Sequence, residues 1–198
     1  MVRQVQLLNN IFTYTILVFL LVRCSSATHP FIPGKMINNT DNNLKMQNGD
    51  MYMGDKLFTG NVFSLYPGST DTAEIKGYKE GREHGIWKKF YEHGLHKEKR
   101  EFTNGKKTGE YFTWWDNGKQ QMHYIIKDDE YEGTCREWNK IGLLVKEMNY
   151  KKGHEEGSQR WWYDNGRIKA NYVIMDGRRY GLLGTKNCIN VSDSIFKN

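Results

Sequence analysis

Two stretches of this chain decide its fold: residues 109–118 read GEYFTWWDNG, and residues 157–166 read GSQRWWYDNG. Both open on glycine, contain adjacent aromatic residues and close on Asp-Asn-Gly, so they are copies of one unit. Two series of glycines repeat every 24 residues, which are Gly85, Gly109, Gly133, Gly157 and Gly181, and Gly94, Gly118, Gly142 and Gly166. A fixed period of this length indicates a repeat architecture.

Bulky residues follow the same period. One column consists of Phe90, Trp114, Trp138 and Trp162, and a second of Tyr78, Phe102, Ile126, Tyr150 and Ile174. A third glycine column, formed by Gly81, Gly105, Gly153 and Gly177, is interrupted by Asp129. Four full units therefore span residues 77–172.

The Asn-Gly pairs predict the local structure of each unit. Asn117-Gly118 and Asn165-Gly166 lie between strand-like segments, and this is a strong signal for a two-residue type I′ hairpin turn. Counting outward from Asn117 and Gly118 places Trp115 opposite Gln120. Further pairs predicted by the same count are Thr113–Met122, Tyr111–Tyr124, Gly109–Ile126, Gly85–Phe102, Trp87–Arg100, Lys89–Glu98, Tyr91–His96, Gly133–Tyr150, Glu137–Lys146, Arg136–Glu147, Gly157–Ile174 and Trp161–Ala170.

A large apolar residue faces the first glycine of every unit in this register. We interpret this as a bulky side chain that covers the bare glycine backbone opposite it. The hairpins predict an all-β fold, a repetitive antiparallel meander in a single-layer sheet that twists and curls. Each hairpin is stabilised by its neighbours.

The chain divides into four predicted segments. Residues 1–27 are typical of a signal peptide, with Arg3, an apolar stretch at 11–22 and a small-residue cleavage site ending at Ala27. That stretch is shorter than the roughly 20 residues that cross a bilayer. Residues 28–56, rich in Asn, Met and Asp, are predicted to be a flexible linker. The repeat domain covers 57–181, and residues 182–198 form a C-terminal tail that breaks the repeat.

Cys24 leaves two alternatives for the mature protein. Residues 21–24 (LVRC) resemble a bacterial lipoprotein box, in which this cysteine would be lipidated. Cleavage after Ala27 would instead release the chain. The predicted location is the cell envelope, as a periplasmic or outer-surface lipoprotein, or the secreted fraction.

The unit of glycine, aromatic pair, acid, Asn and Gly resembles the MORN repeat in its bacterial variant form. The resemblance covers about residues 58–181. The third unit departs from it with Asn139-Lys140-Ile141-Gly142, and the first has His93 in place of Asn. Bacterial chains of this kind are named YwqK-family antitoxins of toxin–antitoxin systems, and other MORN proteins are lipid-binding or scaffolding modules. The resemblance implies these functions for the present chain.

Catalytic and metal chemistry have no sequence motif here. No nucleophile is placed beside a base, so we predict no enzyme and no catalytic residue. His93 and His96 lack a third ligand nearby, so no metal and no cofactor are predicted. Lysine and glutamate alternate along the chain, with 29 basic and 23 acidic residues in total, and this pattern does not favour nucleic acid. Cys135 is predicted to be a small apolar residue facing Met148, without a disulfide bond.

The best candidate binding residues are Phe90, Trp114, Trp138 and Trp162, which the register places on the face opposite the residues that cover glycine. Aromatic residues there either contact a ligand or stabilise the sheet. The leading hypothesis is an exported, non-catalytic binding or scaffold module that contacts a protein, lipid headgroups or an envelope polymer. The alternative is an antitoxin or immunity protein that sequesters a toxin. Rescue from a specific toxin would distinguish the second from the first.

Overall fold

The computed structural model describes residues 34–184, and this part of the chain folds almost entirely into strands. The strands are β1 (Met36–Asn38), β2 (Leu44–Gln47), β3 (Asp50–Met53), β4 (Lys56–Leu57), β5 (Gly60–Leu65), β6 (Thr72–Lys79), β7 (Arg82–Glu83), β8 (Gly85–Phe90), β9 (His96–Thr103), β10 (Lys106–Trp114), β11 (Gln120–Lys127), β12 (Glu130–Tyr131), β13 (Gly133–Trp138), β14 (Leu144–Lys151), β15 (His154–Glu155), β16 (Gly157–Trp162), β17 (Ile168–Met175) and β18 (Arg178–Leu182). A single 3-10 turn at Glu92–Gly94 interrupts them within the described range.

Fifteen of these strands form one open sheet in the order β1-β5-β6-β8-β9-β10-β11-β13-β14-β16-β17-β18, with β7, β12 and β15 paired to β6, β11 and β14. β1 pairs with β5 in parallel, and the other neighbours are antiparallel. The predicted all-β meander is therefore confirmed. Among residues 34–184, no helix is long and apolar enough to cross a bilayer.

Two-residue turns close one end of the hairpins, but they lie elsewhere than predicted. Asn104 and Gly105 both have positive φ, at 51° and 84°, between the paired residues Thr103 and Lys106. Positive φ at both central residues defines the type I′ turn. The other turns of this kind are Asn48-Gly49, Glu80-Gly81, Asp128-Asp129, Lys152-Gly153 and Asp176-Gly177. The third glycine column thus marks the second position of these turns.

Asp129, which replaces glycine in that column, adds a side-chain hydrogen bond to the backbone bond that Gly105 and Gly153 also make to the preceding hairpin. Its carboxylate accepts a hydrogen bond from the Lys107 N–H at 2.9 Å, and its own N–H donates to the Lys107 carbonyl at 3.0 Å. Aspartate tolerates positive φ better than most residues. The break in the glycine series is therefore compatible with the same turn.

The predicted type I′ turn at Asn117-Gly118 is wrong. Gly118 alone has positive φ, at 79°, and its N–H donates to the Trp115 carbonyl at 2.9 Å, so the loop is one residue longer. The Asn117 side chain instead accepts a hydrogen bond from the Lys119 N–H at 3.1 Å. Asparagine therefore stabilises this loop through a local side-chain hydrogen bond and not through a positive φ.

A bulge compensates for the longer loop. The register shifts between Thr113 and Trp114, which places Trp114, and not Trp115, opposite Gln120. The same shift places Phe90, and not Tyr91, opposite His96. Beyond the bulge the predicted register is confirmed at Thr113–Met122, Tyr111–Tyr124, Gly109–Ile126, Gly85–Phe102, Trp87–Arg100, Lys89–Glu98, Gly133–Tyr150, Glu137–Lys146, Arg136–Glu147, Gly157–Ile174 and Trp161–Ala170.

The first glycine of each unit is required for a reason other than the one predicted. Gly157 does lie opposite Ile174, but a Cβ added to Gly157 would meet nothing within 4 Å. Its φ is +73°, which side chains disfavour, and it follows Glu156, where the strand is interrupted between β15 and β16. Glycine at this position therefore permits a bend in the strand, and such irregularities increase the local twist of a sheet.

Replacing Gly157 with alanine is expected to lower the free energy of unfolding by about 1–2 kcal/mol, because alanine must adopt the left-handed conformation. Urea unfolding followed by tryptophan fluorescence measures this loss. The control is Gly184→Ala, where φ lies outside the left-handed region and the added Cβ also meets nothing within 4 Å. Equal unfolding midpoints for the two variants would contradict the role assigned to Gly157.

The prediction of a flexible linker over 28–56 is wrong from Met36 onward. β2, β3 and β4 form a separate three-stranded sheet, and β1 joins the edge of the large sheet. Met51 and Phe58 pack in a buried cluster with Ile37, Val62 and Tyr78. This segment is ordered because its few apolar residues cover the beginning of the repeat sheet. Residues 28–33 lie outside the described residues.

The repeat sheet extends through β18 to Leu182, one residue past the predicted limit of 181. The predicted signal peptide 1–27 and residues 185–198 of the predicted tail lie outside the described residues.

Candidate binding surfaces

One face of the repeat sheet packs and the other does not. We call the face that carries Phe102, Ile126, Tyr150 and Ile174 the packed face. Its residues Tyr124, Cys135 and Met148 form a buried cluster, against which Tyr111 and Trp161 pack. Cys135 is fully buried opposite Met148, as predicted, and it is a free thiol. Burial raises the pKa of this thiol.

The opposite face, which we call the aromatic face, carries all four predicted binding residues, since side chains alternate along a strand. They are Phe90, Trp114, Trp138 and Trp162, and each is half-buried. The His96 ring lies 5.3 Å from Phe90 and 5.5 Å from Trp114, measured between ring centroids. Two residues that are 24 positions apart in sequence thus join in one row of three rings.

His96 was not predicted as part of this row. The predicted register placed it opposite Tyr91, whereas the bulge turns it toward Phe90. The row continues sideways into Phe112, whose ring stacks on Trp114 at 5.7 Å and on His123 at 4.4 Å. The ammonium group of Lys99 lies 5.5 Å from the Phe112 ring, a cation–π distance. A continuous aromatic surface results, beside a lysine whose ammonium group also contacts the Glu101 carboxylate at 3.5 Å.

The aromatic face changes character in the third and fourth units. The guanidinium of Arg136 contacts the Glu147 carboxylate at 2.9 Å, and Arg160 contacts the same carboxylate at 3.6 Å. Trp138 and Trp162 lie on this charged half, and Phe90 and Trp114 on the aromatic half. The four predicted residues therefore recur with one period in the sequence, but in the structure two lie on an aromatic area and two on a charged area.

The packed face contains an open groove of about 720 Å³ near the three-residue loops. Six of the residues that line it are Tyr111, Trp115, Met122, Glu137, Asn139 and Asp164. None of these six was predicted as a binding residue, but Trp138, which was predicted as one, also lines the groove. The groove lies beside the third unit, which departs from the repeat pattern in sequence.

A ladder of aromatic residues explains where the groove opens. The Tyr66 hydroxyl donates to the Phe90 carbonyl at 2.7 Å, and the Tyr91 hydroxyl donates to the Trp114 carbonyl at 2.9 Å. Trp115 follows with its indole N–H, which donates to the Trp138 carbonyl at 3.0 Å. Each of these side chains links one unit to the next.

Asn139 occupies the next position of this ladder, 24 residues after Trp115. It is too short to reach the following unit in the same way, and its amide donates to the Asp164 carboxylate at 3.1 Å instead. Space that an aromatic ring would fill stays open. The sequence contained this signal, because asparagine interrupts an aromatic column at Tyr91, Trp115 and Tyr163.

Two charged groups of the groove, Glu137 and Lys140, form ion pairs, and a third, Asp164, accepts a hydrogen bond from the neutral Asn139 amide. Glu137 contacts the ammonium group of Lys146 at 3.0 Å and accepts a hydrogen bond from the Tyr124 hydroxyl. Burial, together with Glu137, raises the pKa of Tyr124, so its hydroxyl stays a donor. Lys140 contacts Asp116 at 2.8 Å. The groove therefore offers rings, amides, two ion-paired side chains and the Asp164 carboxylate.

Cys24, the candidate lipidation site, lies outside the described residues.

Comparisons with known proteins find a similarity among solved structures. No family model matches the chain, and no curated protein matches it. Among solved structures, the crystal structure of TarM is similar, with 18% sequence identity and a TM-score of 0.32. The match covers 55% of this chain and 20% of the TarM chain, so this chain spans about a fifth of that protein.

Proposed function

We propose that this chain is an exported MORN-like repeat protein that acts as a non-catalytic binding or scaffold module. The observation that supports it most is the row of Phe90, His96 and Trp114 on the aromatic face. These rings lie away from the buried clusters of the packed face, so they are not needed to fill a core. Aromatic residues that combine a flat apolar body with accessible edges are favoured at interfaces.

The surroundings of this row favour an anionic partner. Lys99 lies against Phe112, where its ammonium group also contacts the Glu101 carboxylate at 3.5 Å. Lysine next to an exposed aromatic surface is the combination found at the headgroup layer of membranes. Of the three partner classes predicted from the sequence, which are a protein, lipid headgroups and an envelope polymer, the lipid surface therefore comes first.

Sedimentation of the purified full chain with vesicles tests this function. We expect the chain to sediment with vesicles that contain an anionic phospholipid. With vesicles of neutral phosphatidylcholine it should stay in the supernatant. Trp114→Ala should weaken binding by about tenfold or more, because a central aromatic residue contributes strongly to an interface. Added salt should weaken binding further, because it screens the lysines.

Tyr180→Ala is the matched control, since Tyr180 is 49% exposed on the edge strand β18 and lies outside the aromatic row. It should bind as the unaltered chain does. Binding that is absent from anionic vesicles and from insoluble envelope polymer would refute the proposal. Binding that Trp114→Ala leaves unchanged would refute the assigned surface.

A further inference from the structure

We propose that the groove on the packed face is a second binding site, and that it takes an uncharged saccharide unit. This site opens on the opposite side of the sheet from the row of Phe90, His96 and Trp114, and none of these three residues lines it. Nothing in its argument depends on the lipid surface proposed above. The groove is about 720 Å³, within the range of roughly 300–1,000 Å³ that small-ligand pockets occupy.

The lining combines flat rings with hydrogen-bonding groups. Trp115 and Tyr111 present aromatic surface, and the orientation of Trp115 is held by its hydrogen bond to the Trp138 carbonyl at 3.0 Å. Asn139 and Thr113 add an amide and a hydroxyl. A sugar ring has an apolar C–H face that packs on an aromatic ring and hydroxyl groups that both donate and accept. The groove offers the complement to both.

The charges of the groove favour a neutral ligand over an ion. Glu137 is paired with Lys146 at 3.0 Å, and Lys140 is paired with Asp116 at 2.8 Å. The Asp164 carboxylate accepts a hydrogen bond from Asn139 at 3.1 Å. An ionic ligand would have to compete with Lys146 for Glu137 or with Asp116 for Lys140. Hydroxyl groups can add hydrogen bonds to the same oxygens, because a carboxylate accepts several.

The groove opens where Asn139 interrupts the aromatic ladder, so a substitution that restores an aromatic residue at this position should fill the site. In Asn139→Tyr, the tyrosine ring would extend into the groove, and its hydroxyl could donate to the Trp162 carbonyl as Tyr91 does to Trp114. The substitution thus restores a contact between units while it fills the site. The matched control is His93→Asn, which restores the pattern in the first unit, away from the groove.

The experiment is isothermal titration calorimetry of the full chain with neutral tetrasaccharides of N-acetylglucosamine and of glucose, and with anionic tetragalacturonate. We expect saturable binding of at least one neutral tetrasaccharide. Tetragalacturonate should bind more weakly by about tenfold or more, because the Asp164 carboxylate, whose partner Asn139 carries no charge, lines the groove and repels an anion. His93→Asn and Trp114→Ala should bind as the unaltered chain does.

Asn139→Tyr should abolish the titration signal and keep or raise the thermal unfolding midpoint. If this variant fails to fold, Trp115→Leu takes its place, because it removes the ring surface and leaves Asn139 unchanged. Absence of binding by both neutral tetrasaccharides would overturn the proposal, and so would binding that survives the substitution in a folded variant. In that case the groove is a packing gap left by a short residue. Either result leaves vesicle binding by the aromatic face as a separate question.

Discussion

Replacement of Phe58 with alanine is expected to lower the free energy of unfolding by about 3–5 kcal/mol, the cost of emptying a buried aromatic site. Phe58 is 4% exposed, and its ring lies 6.3 Å from that of Tyr78. Its backbone also joins the two sheets, since its N–H donates to Met51 at 2.9 Å and its carbonyl accepts from Gly81 at 2.8 Å. The side chain holds the small sheet against the first repeat.

Two measurements distinguish this role from a general loss of stability. Urea unfolding gives the total change, and hydrogen exchange of the β2–β4 amides reports detachment of the small sheet. The control is Met46→Ala in β2 of the small sheet, where the side chain is 54% exposed and the change should stay within about 0.5 kcal/mol. If the β2–β4 amides of Phe58→Ala exchange as slowly as in the unaltered chain, Phe58 does not hold this sheet in place.

The repeat period made the sheet and most of its register predictable. Residues such as Tyr111 and Tyr124 lie opposite each other in the sequence count and in the structure. The turn types were not predictable in the same way, because Asn-Gly occurs in two different loops. Asn104 adopts positive φ, while Asn117 does not and uses its side chain to bind Lys119. The dipeptide indicates a reversal of the chain, and the neighbouring strands decide its form.

In the N-terminal segment, an asparagine-rich composition conceals a β-hairpin. Asn48-Gly49 is a type I′ turn between Gln47 and Asp50, by the same rule that predicted the repeat hairpins. The surrounding asparagines indicated disorder more strongly than this one pair indicated a turn. Only Met51 and a few neighbours are apolar, and they pack on the repeat sheet. This contact joins residues that are far apart in the chain, so the local sequence could not predict it.

The candidate sites divide along similar lines. The face of Trp114 could be predicted, because alternation along a strand depends only on the register. The participation of His96 could not, because it depends on the bulge. The residues that keep the repeat do not indicate the groove. Asn139, which breaks the repeat, is the residue that opens it.

Replacement of Met148 with alanine is expected to cost about 2–5 kcal/mol of stability, because it leaves a cavity in the middle of the packed face. Met148 is 5% exposed and lies opposite Cys135, which is fully buried. Tyr124 packs in the same cluster. Each unit of a repeat protein is stabilised mainly by its neighbours, so damage in the third unit should loosen the fourth as well.

Cys135 provides a direct reporter of this loosening. In a chain with Cys24→Ser and Cys188→Ser, a thiol reagent can modify Cys135 only when the sheet opens, and burial also raises the pKa of this thiol. Met148→Ala should speed modification by about tenfold for each 1.4 kcal/mol lost. Met175→Ala, with the side chain 55% exposed on β17, is the matched control and should leave the rate unchanged. Equal rates in the two variants would mean that Met148 does not close the core over Cys135, and that the third unit is stabilised by its hydrogen bonds and not by its packing.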